Sequence, residues 1–103
     1  MLKICKINYV LSKQALSDID SIWLRIAKEN IKAADSLTIE FYKVFEMLAL
    51  FPLSGSLKPE FTNKYYRWFP VHNYWIAYIP DSSPIRIARV INSYRNIPYF
   101  FKN

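Results

Sequence analysis

Residues 64–92 read KYYRWFPVHNYWIAYIPDSSPIRIARVIN, and this stretch decides the fold. β-Branched and aromatic residues dominate it, and turn-forming residues cut it into three runs. The runs cover about Lys64 to Phe69, Tyr74 to Ile79 and Ile85 to Asn92, with Pro70 to Asn73 and Pro80 to Pro84 between them. Connections this short join antiparallel neighbours, so the three runs predict a meander.

The pattern changes period on the N-terminal side. From near Lys32, Ala34, Leu37, Phe41, Val44, Phe45 and Leu48 recur at three- and four-residue steps, until Pro52 and Gly55 remove helical support. Before it, Ser12 offers an N-cap, and Ala15, Ile19, Ile22, Trp23, Ile26 and Ala27 repeat at the same spacing to about Glu29. Lys13, Ser17, Asp20, Lys28 and Glu29 fall on the solvent side of this first helix. Only a few residues around Asn30 separate the helices, which predicts an antiparallel hairpin. Still earlier, Cys5, Ile7, Tyr9 and Leu11 alternate with Lys6, Asn8 and Val10, the period of a half-buried strand. The expected fold is α+β over residues 1–103 as a single domain: an N-terminal strand, an α-helical hairpin, then a three-stranded antiparallel meander, with the hairpin on one face of the sheet. The tail Ser93 to Asn103, with Pro98 and Tyr99-Phe100-Phe101, reads as a short helical turn or an extended arm.

Composition narrows the function. The chain has 103 residues, 52% hydrophobic and 17% aromatic, which suits one densely packed core. Its longest apolar stretches, Met47 to Leu53 and Tyr74 to Pro80, fall short of the roughly 18–20 residues that span a bilayer. No signal-peptide core follows Lys3 and Lys6, and the single cysteine, Cys5, suits a reducing compartment, so a cytoplasmic protein is expected. One Cys and one His cannot build a metal site of usual density, and one Gly cannot build a phosphate loop; no cofactor is expected. The net charge of +6 is uneven. Residues 1–57 carry seven Lys/Arg against six acids, whereas residues 58–103 carry seven against only Glu60 and Asp81. A positive C-terminal half favours an acidic protein partner, a nucleic acid or a nucleoprotein.

Placed on this framework, the residues resemble those of ParE toxins, a branch of the RelE/ParE toxin superfamily, over about 85 residues. Ala15, Asp18-Ile19, Ile22-Trp23 and Ile26 carry the likeness in the first helix, and Phe45, Leu48-Ala49, Pro52 and Gly55 in the second and its exit. It continues through Tyr66-Arg67-Trp68-Phe69, Val71, Tyr74, Ile76 and Tyr78, then Ile87, Arg89-Val90-Ile91 and Arg95. The resemblance implies the toxin of a type II toxin-antitoxin module, held inactive by an antitoxin protein and associated with inhibition of DNA gyrase rather than RNA cleavage. Nucleic acid would then be met only through the antitoxin or the gyrase complex. Many ParE-like chains read Arg-Val-x-His-x-x-Arg-Asp where this chain has Asn92 and Asn96 in the His and Asp positions.

RNA cleavage by the 2′-hydroxyl route needs a general base, a general acid and cations for the charge developing on phosphate. Arg67, Arg89 and Arg95 supply cations, and Tyr94 is the nearest acid/base candidate, but a phenol with an ordinary pKa of about 10 is a poor unaided base. If the chain is an RNA-cleaving enzyme, those four residues carry the reaction. His72 reads as a turn residue, and Glu40 and Glu46 as a solvated helix face. The partner-binding reading uses Trp23, Arg67, Trp68, Trp75, Arg89 and Arg95: guanidinium forks for carboxylate or phosphate, and indole anchors for an antitoxin segment. Arg89 also has a structural alternative, a partly buried pair with an acid such as Asp18. Three functions stay open: a gyrase-binding toxin, a ribosome-dependent RNA-cleaving toxin, and a non-toxic relative that only binds its antitoxin.

Overall fold

The computed structural model describes residues 9–61 and 65–94. Cys5, Arg95, Asn96 and the aromatic tail lie outside the described residues. The elements are β1 (Tyr9–Leu11), α1 (Lys13–Ala27), α2 (Ile31–Leu50), β2 (Arg67–Val71), β3 (Tyr74–Ile79) and β4 (Ile85–Asn92). Their order is the expected one.

Both helices begin where a side chain satisfies an orphan backbone donor. Ser12 Oγ accepts the Ala15 N–H at 2.9 Å, and Asn30 Oδ1 accepts the Ala33 N–H at 3.0 Å. Asn30 therefore interrupts the apolar pattern because it starts the second helix. Ala15, Ile19 and Ile22 of α1, with Phe41, Phe45 and Leu48 of α2, pack on Val71, Tyr74, Ile76, Tyr78, Ile85, Ile87 and Val90 of the sheet. The opposite face carries a smaller cluster of Trp68, Ala77 and Ile91, covered by Phe61 and Tyr66 and flanked by Trp75.

The sheet order is β1-β4-β3-β2, and β2, β3 and β4 form the antiparallel meander. The pairing of β1 was open in the sequence; it lies parallel to β4, with Tyr9 opposite Ile85 and Leu11 opposite Ile87. Since β1 has three described residues and β4 has eight, the outer edge of β4 runs on without a strand neighbour among the described residues. The start of α1 serves that edge instead. Ser12 N–H donates to Ile87 O at 3.0 Å, Ser12 Oγ donates to Ala88 O at 2.7 Å, and Val90 N–H donates to Asp18 Oδ2 at 2.9 Å. A bulge between β3 and β4 falls in the same place: Ala77 faces Arg89 and Tyr78 faces Ile87, leaving Ala88 unmatched.

The run expected from about Lys64 to Phe69 needs correction at both ends: the strand begins at Arg67, with Tyr65 and Tyr66 outside it. The run expected to end at Phe69 continues through Pro70 and Val71, so the turn shrinks to His72 and Asn73. Pro70 is tolerated because β2 is the last strand of the sheet, where a missing N–H costs no ladder bond. His72 takes the turn with φ 54, a left-handed backbone uncommon for residues other than glycine. No helix among the described residues is long and apolar enough to cross a membrane.

Candidate functional site

Three polar constructions tie the helices and loops to the sheet. The first centres on Asp18, one turn into α1. Its carboxylate takes Arg89 Nε at 2.8 Å and Nη2 at 2.9 Å, the two-pronged geometry of guanidinium on carboxylate, and also accepts the Val90 N–H. Both side chains are mostly buried, at 15% and 17% exposure. The bond from Asp18 raises the Arg89 pKa; burial opposes that shift and the carboxylate charge adds to it. The alternative that paired Arg89 with Asp18 is the one observed.

The second holds the loop after α2. Tyr78, fully buried, donates its hydroxyl hydrogen to Pro52 O at 2.6 Å and accepts the Gly55 N–H at 2.8 Å. Arg67 Nη1 donates to Gly55 O at 2.6 Å, and Ser56 and Trp68 exchange backbone bonds at 2.8 and 2.9 Å. A Cβ on Gly55 would sit 2.7 Å from the Tyr78 ring and 2.9 Å from Trp68 O, so this close approach requires glycine. Burial raises the Tyr78 pKa above its ordinary 10.0, with the Gly55 bond and the Arg67 charge working the other way.

The third lies where the last turn of α1 meets the ends of β3 and β4. Arg25 Nη2 donates to Tyr74 Oη. Around them is a cleft of about 170 Å³, lined also by Asp18, Ser21, Arg89 and Asn92. Tyr74 also borders a wider groove of about 570 Å³, lined by Ile26, Ala33 and Leu37. On the border of that groove His72 Nε2 and Glu40 Oε1 are 2.8 Å apart, both half exposed.

The expected site residues separate into different groups. Trp68 corrects the expectation of a partner anchor: at 0% exposure it is core, edge-on to Phe61 at 5.0 Å and to Trp75 at 6.4 Å. Trp75 is half-buried, with the Lys58 ammonium 5.1 Å from its ring centre. Trp23 is half-buried and donates Nε1–H to Asp35 Oδ1 at 2.8 Å, joining α1 to α2. Arg67 and Arg89 are engaged with Gly55 and Asp18. Tyr94 is 85% exposed, and Arg95 lies outside the described residues. No group of three metal-ligating side chains occurs among the described residues.

Sequence reasoning missed Arg25, Ser21 and the cleft they share with Tyr74 and Asn92. Arg25 and Tyr74 are 49 positions apart, and no local pattern joins them. The one available signal was Asn92, a departure from the family pattern at a position that lines the cleft.

A family model described as the ParE toxin of the type II toxin-antitoxin system, parDE, matches residues 9–97. The solved structure of the chromosomal ParDE toxin-antitoxin system from P. aeruginosa is similar, with a TM-score of 0.68 at 14% sequence identity, covering 82% of this chain and 92% of that one. At that identity the likeness is one of fold. No curated protein matches the chain.

Proposed function

Because the chain belongs to the ParE toxin family of type II toxin-antitoxin systems, we propose that it acts by docking, as an inhibitor of DNA gyrase in the cytoplasm, and that a cognate antitoxin neutralises it by covering the helical hairpin and sheet. The state of Arg89 carries this reading. A cation that is to stabilise a phosphorane must have its N–H groups aimed at the reacting phosphate; those of Arg89 that face Asp18 hold α1 to β4 instead. Arg67, the other described cation of the RNA-cleaving alternative, fastens a loop. Tyr94 extends into solvent without the base that would activate its phenol among its described contacts.

The antitoxin half of the proposal draws on exposed apolar side chains. Leu16 and Leu24 on α1, and Ile31 and Ile39 on α2, are 45–59% exposed. Apolar surface on both helices of a small domain is what a protein partner would cover. Trp23, Trp75, Arg67 and Arg89 are its candidate polar and aromatic contacts, with Arg95 added from the sequence.

Induced expression in growing cells separates the readings. A gyrase-directed toxin arrests growth with broken DNA and intact messengers. Rapid messenger cleavage at codon-spaced sites would establish the RNA-cleaving alternative in its place, and unimpaired growth would leave antitoxin binding as the remaining function.

A further inference from the structure

We infer that the cleft beside Arg25 receives an acidic side chain, Asp or Glu, of the antitoxin, with the chain around it laid in the adjoining apolar groove. This rests on the antitoxin reading above and adds to it the anchoring residue and the chemistry of its partner.

The argument is one of unmatched charge and converging donors. The cleft contains two guanidinium groups and one carboxylate. Asp18 is engaged by Arg89 on both oxygens and by the Val90 N–H, so its charge is already matched. Arg25 has no carboxylate within ion-pair distance among the described residues; its recorded partner is the neutral Tyr74 phenol. The cleft therefore keeps one uncompensated positive charge. Because Tyr74 Oη accepts from Arg25, its own hydrogen is directed elsewhere, and no acceptor for it occurs among the described residues. Asn92 Oδ1 is occupied by the Tyr94 N–H, which fixes the amide and leaves its N–H₂ as donor; Ser21 adds a hydroxyl. Cation, phenol, amide and hydroxyl donors around one small space form a receptor for an anionic oxygen pair. A volume of about 170 Å³ admits one carboxylate-bearing side chain.

A protein carboxylate is favoured over a phosphodiester by what lies next door. The space beyond Tyr74 is lined by Ile26, Ala33 and Leu37, and the hydrogen-bonded His72 and Glu40 on its border place an acid there. Apolar side chains fit such a groove, whereas a phosphate backbone would meet the Glu40 carboxylate. The segment recognised is an acidic residue with apolar neighbours.

The test measures the affinity of the full chain for its cognate antitoxin, by calorimetry and by dissociation rate. Arg25→Gln is expected to weaken binding at least about tenfold, mostly through faster dissociation, while Lys28→Gln, the same loss of charge one turn away, changes it less than about twofold. Tyr74→Phe keeps the ring packed on Phe41 and removes only the hydroxyl; a loss of about threefold or more is expected. It keeps the question answerable if Arg25→Gln perturbs the fold, which near-ultraviolet circular dichroism monitors. Equal affinities for Arg25→Gln and Lys28→Gln, with Tyr74→Phe unchanged, overturn the inference. So does an oligonucleotide that binds the wild type and is lost in Arg25→Gln while antitoxin affinity is unaffected. A wild-type chain that fails to bind antitoxin at all overturns the antitoxin reading itself, which distinguishes the two failures.

Discussion

Asp18 serves two masters that a smaller side chain cannot: the Arg89 guanidinium and the Val90 backbone donor. Asp18→Ala strands both in a mostly buried setting, with an expected cost of about 3 kcal/mol. Arg89→Ala leaves Asp18 one backbone partner and is expected to cost less, about 2 kcal/mol. Urea midpoints order the pair, and equal losses would contradict the role given to Val90. Tyr78 makes a prediction in pH. Its folded pKa is raised above 10.0, mainly by burial, so its contribution is complete below pH 10 and is lost as pH climbs through the raised value. Thermal melts followed with tyrosinate absorbance should show stability falling above pH 10, and Tyr78→Phe, less stable at neutral pH, should flatten that limb. Single residues were legible where chemistry alone pairs them. An arginine within a strand of isoleucines has to find an acid, and Asp18 was an available one. Trp68 was misread because strand alternation shows two faces without showing that the second is also covered.

Elements were legible where a period or a cap marks them. The bounds of β3 and β4 coincide with the expected runs, because each is framed by turn residues on both sides. The end of β2 was misplaced because proline reads as a breaker until the strand is known to lie at an edge. The parallel pairing of β1 was hidden for another reason: it joins residues more than 70 positions apart and leaves no local trace. Ser12 links these levels, since its hydroxyl caps α1 and also donates to β4. Ser12→Ala should therefore cost about 2 kcal/mol, against about 1 kcal/mol for Asn30→Ala, whose side chain only caps α2. Chemical denaturation of the two variants compares them directly. Equal losses would mean that the bond to Ala88 contributes nothing.

At the scale of the molecule, the helical hairpin and the sheet present different kinds of surface. The helices expose scattered apolar side chains suited to a protein cover, and the cleft at the end of α1 adds a cation with no acidic partner among the described residues. Arg67 and Arg89, the described arginines of the RNA-cleaving alternative, are engaged by a backbone carbonyl and by the Asp18 carboxylate. The general fold could be read from the sequence, because apolar spacing and turn residues determine it, and the family was legible only as a resemblance carried by residues such as Tyr66-Arg67-Trp68-Phe69 and Arg89-Val90-Ile91. The cleft could not, because its walls come from α1, β3 and β4 and exist only once these have packed. The central claim is that this toxin docks on its target and does not cut RNA. Its most direct test is a DNA supercoiling assay with purified gyrase, run beside translating ribosomes programmed with messenger. The account predicts that the purified chain blocks supercoiling, that antitoxin restores it, and that the messenger stays whole. Unimpaired gyrase together with messenger cut on the ribosome would contradict it.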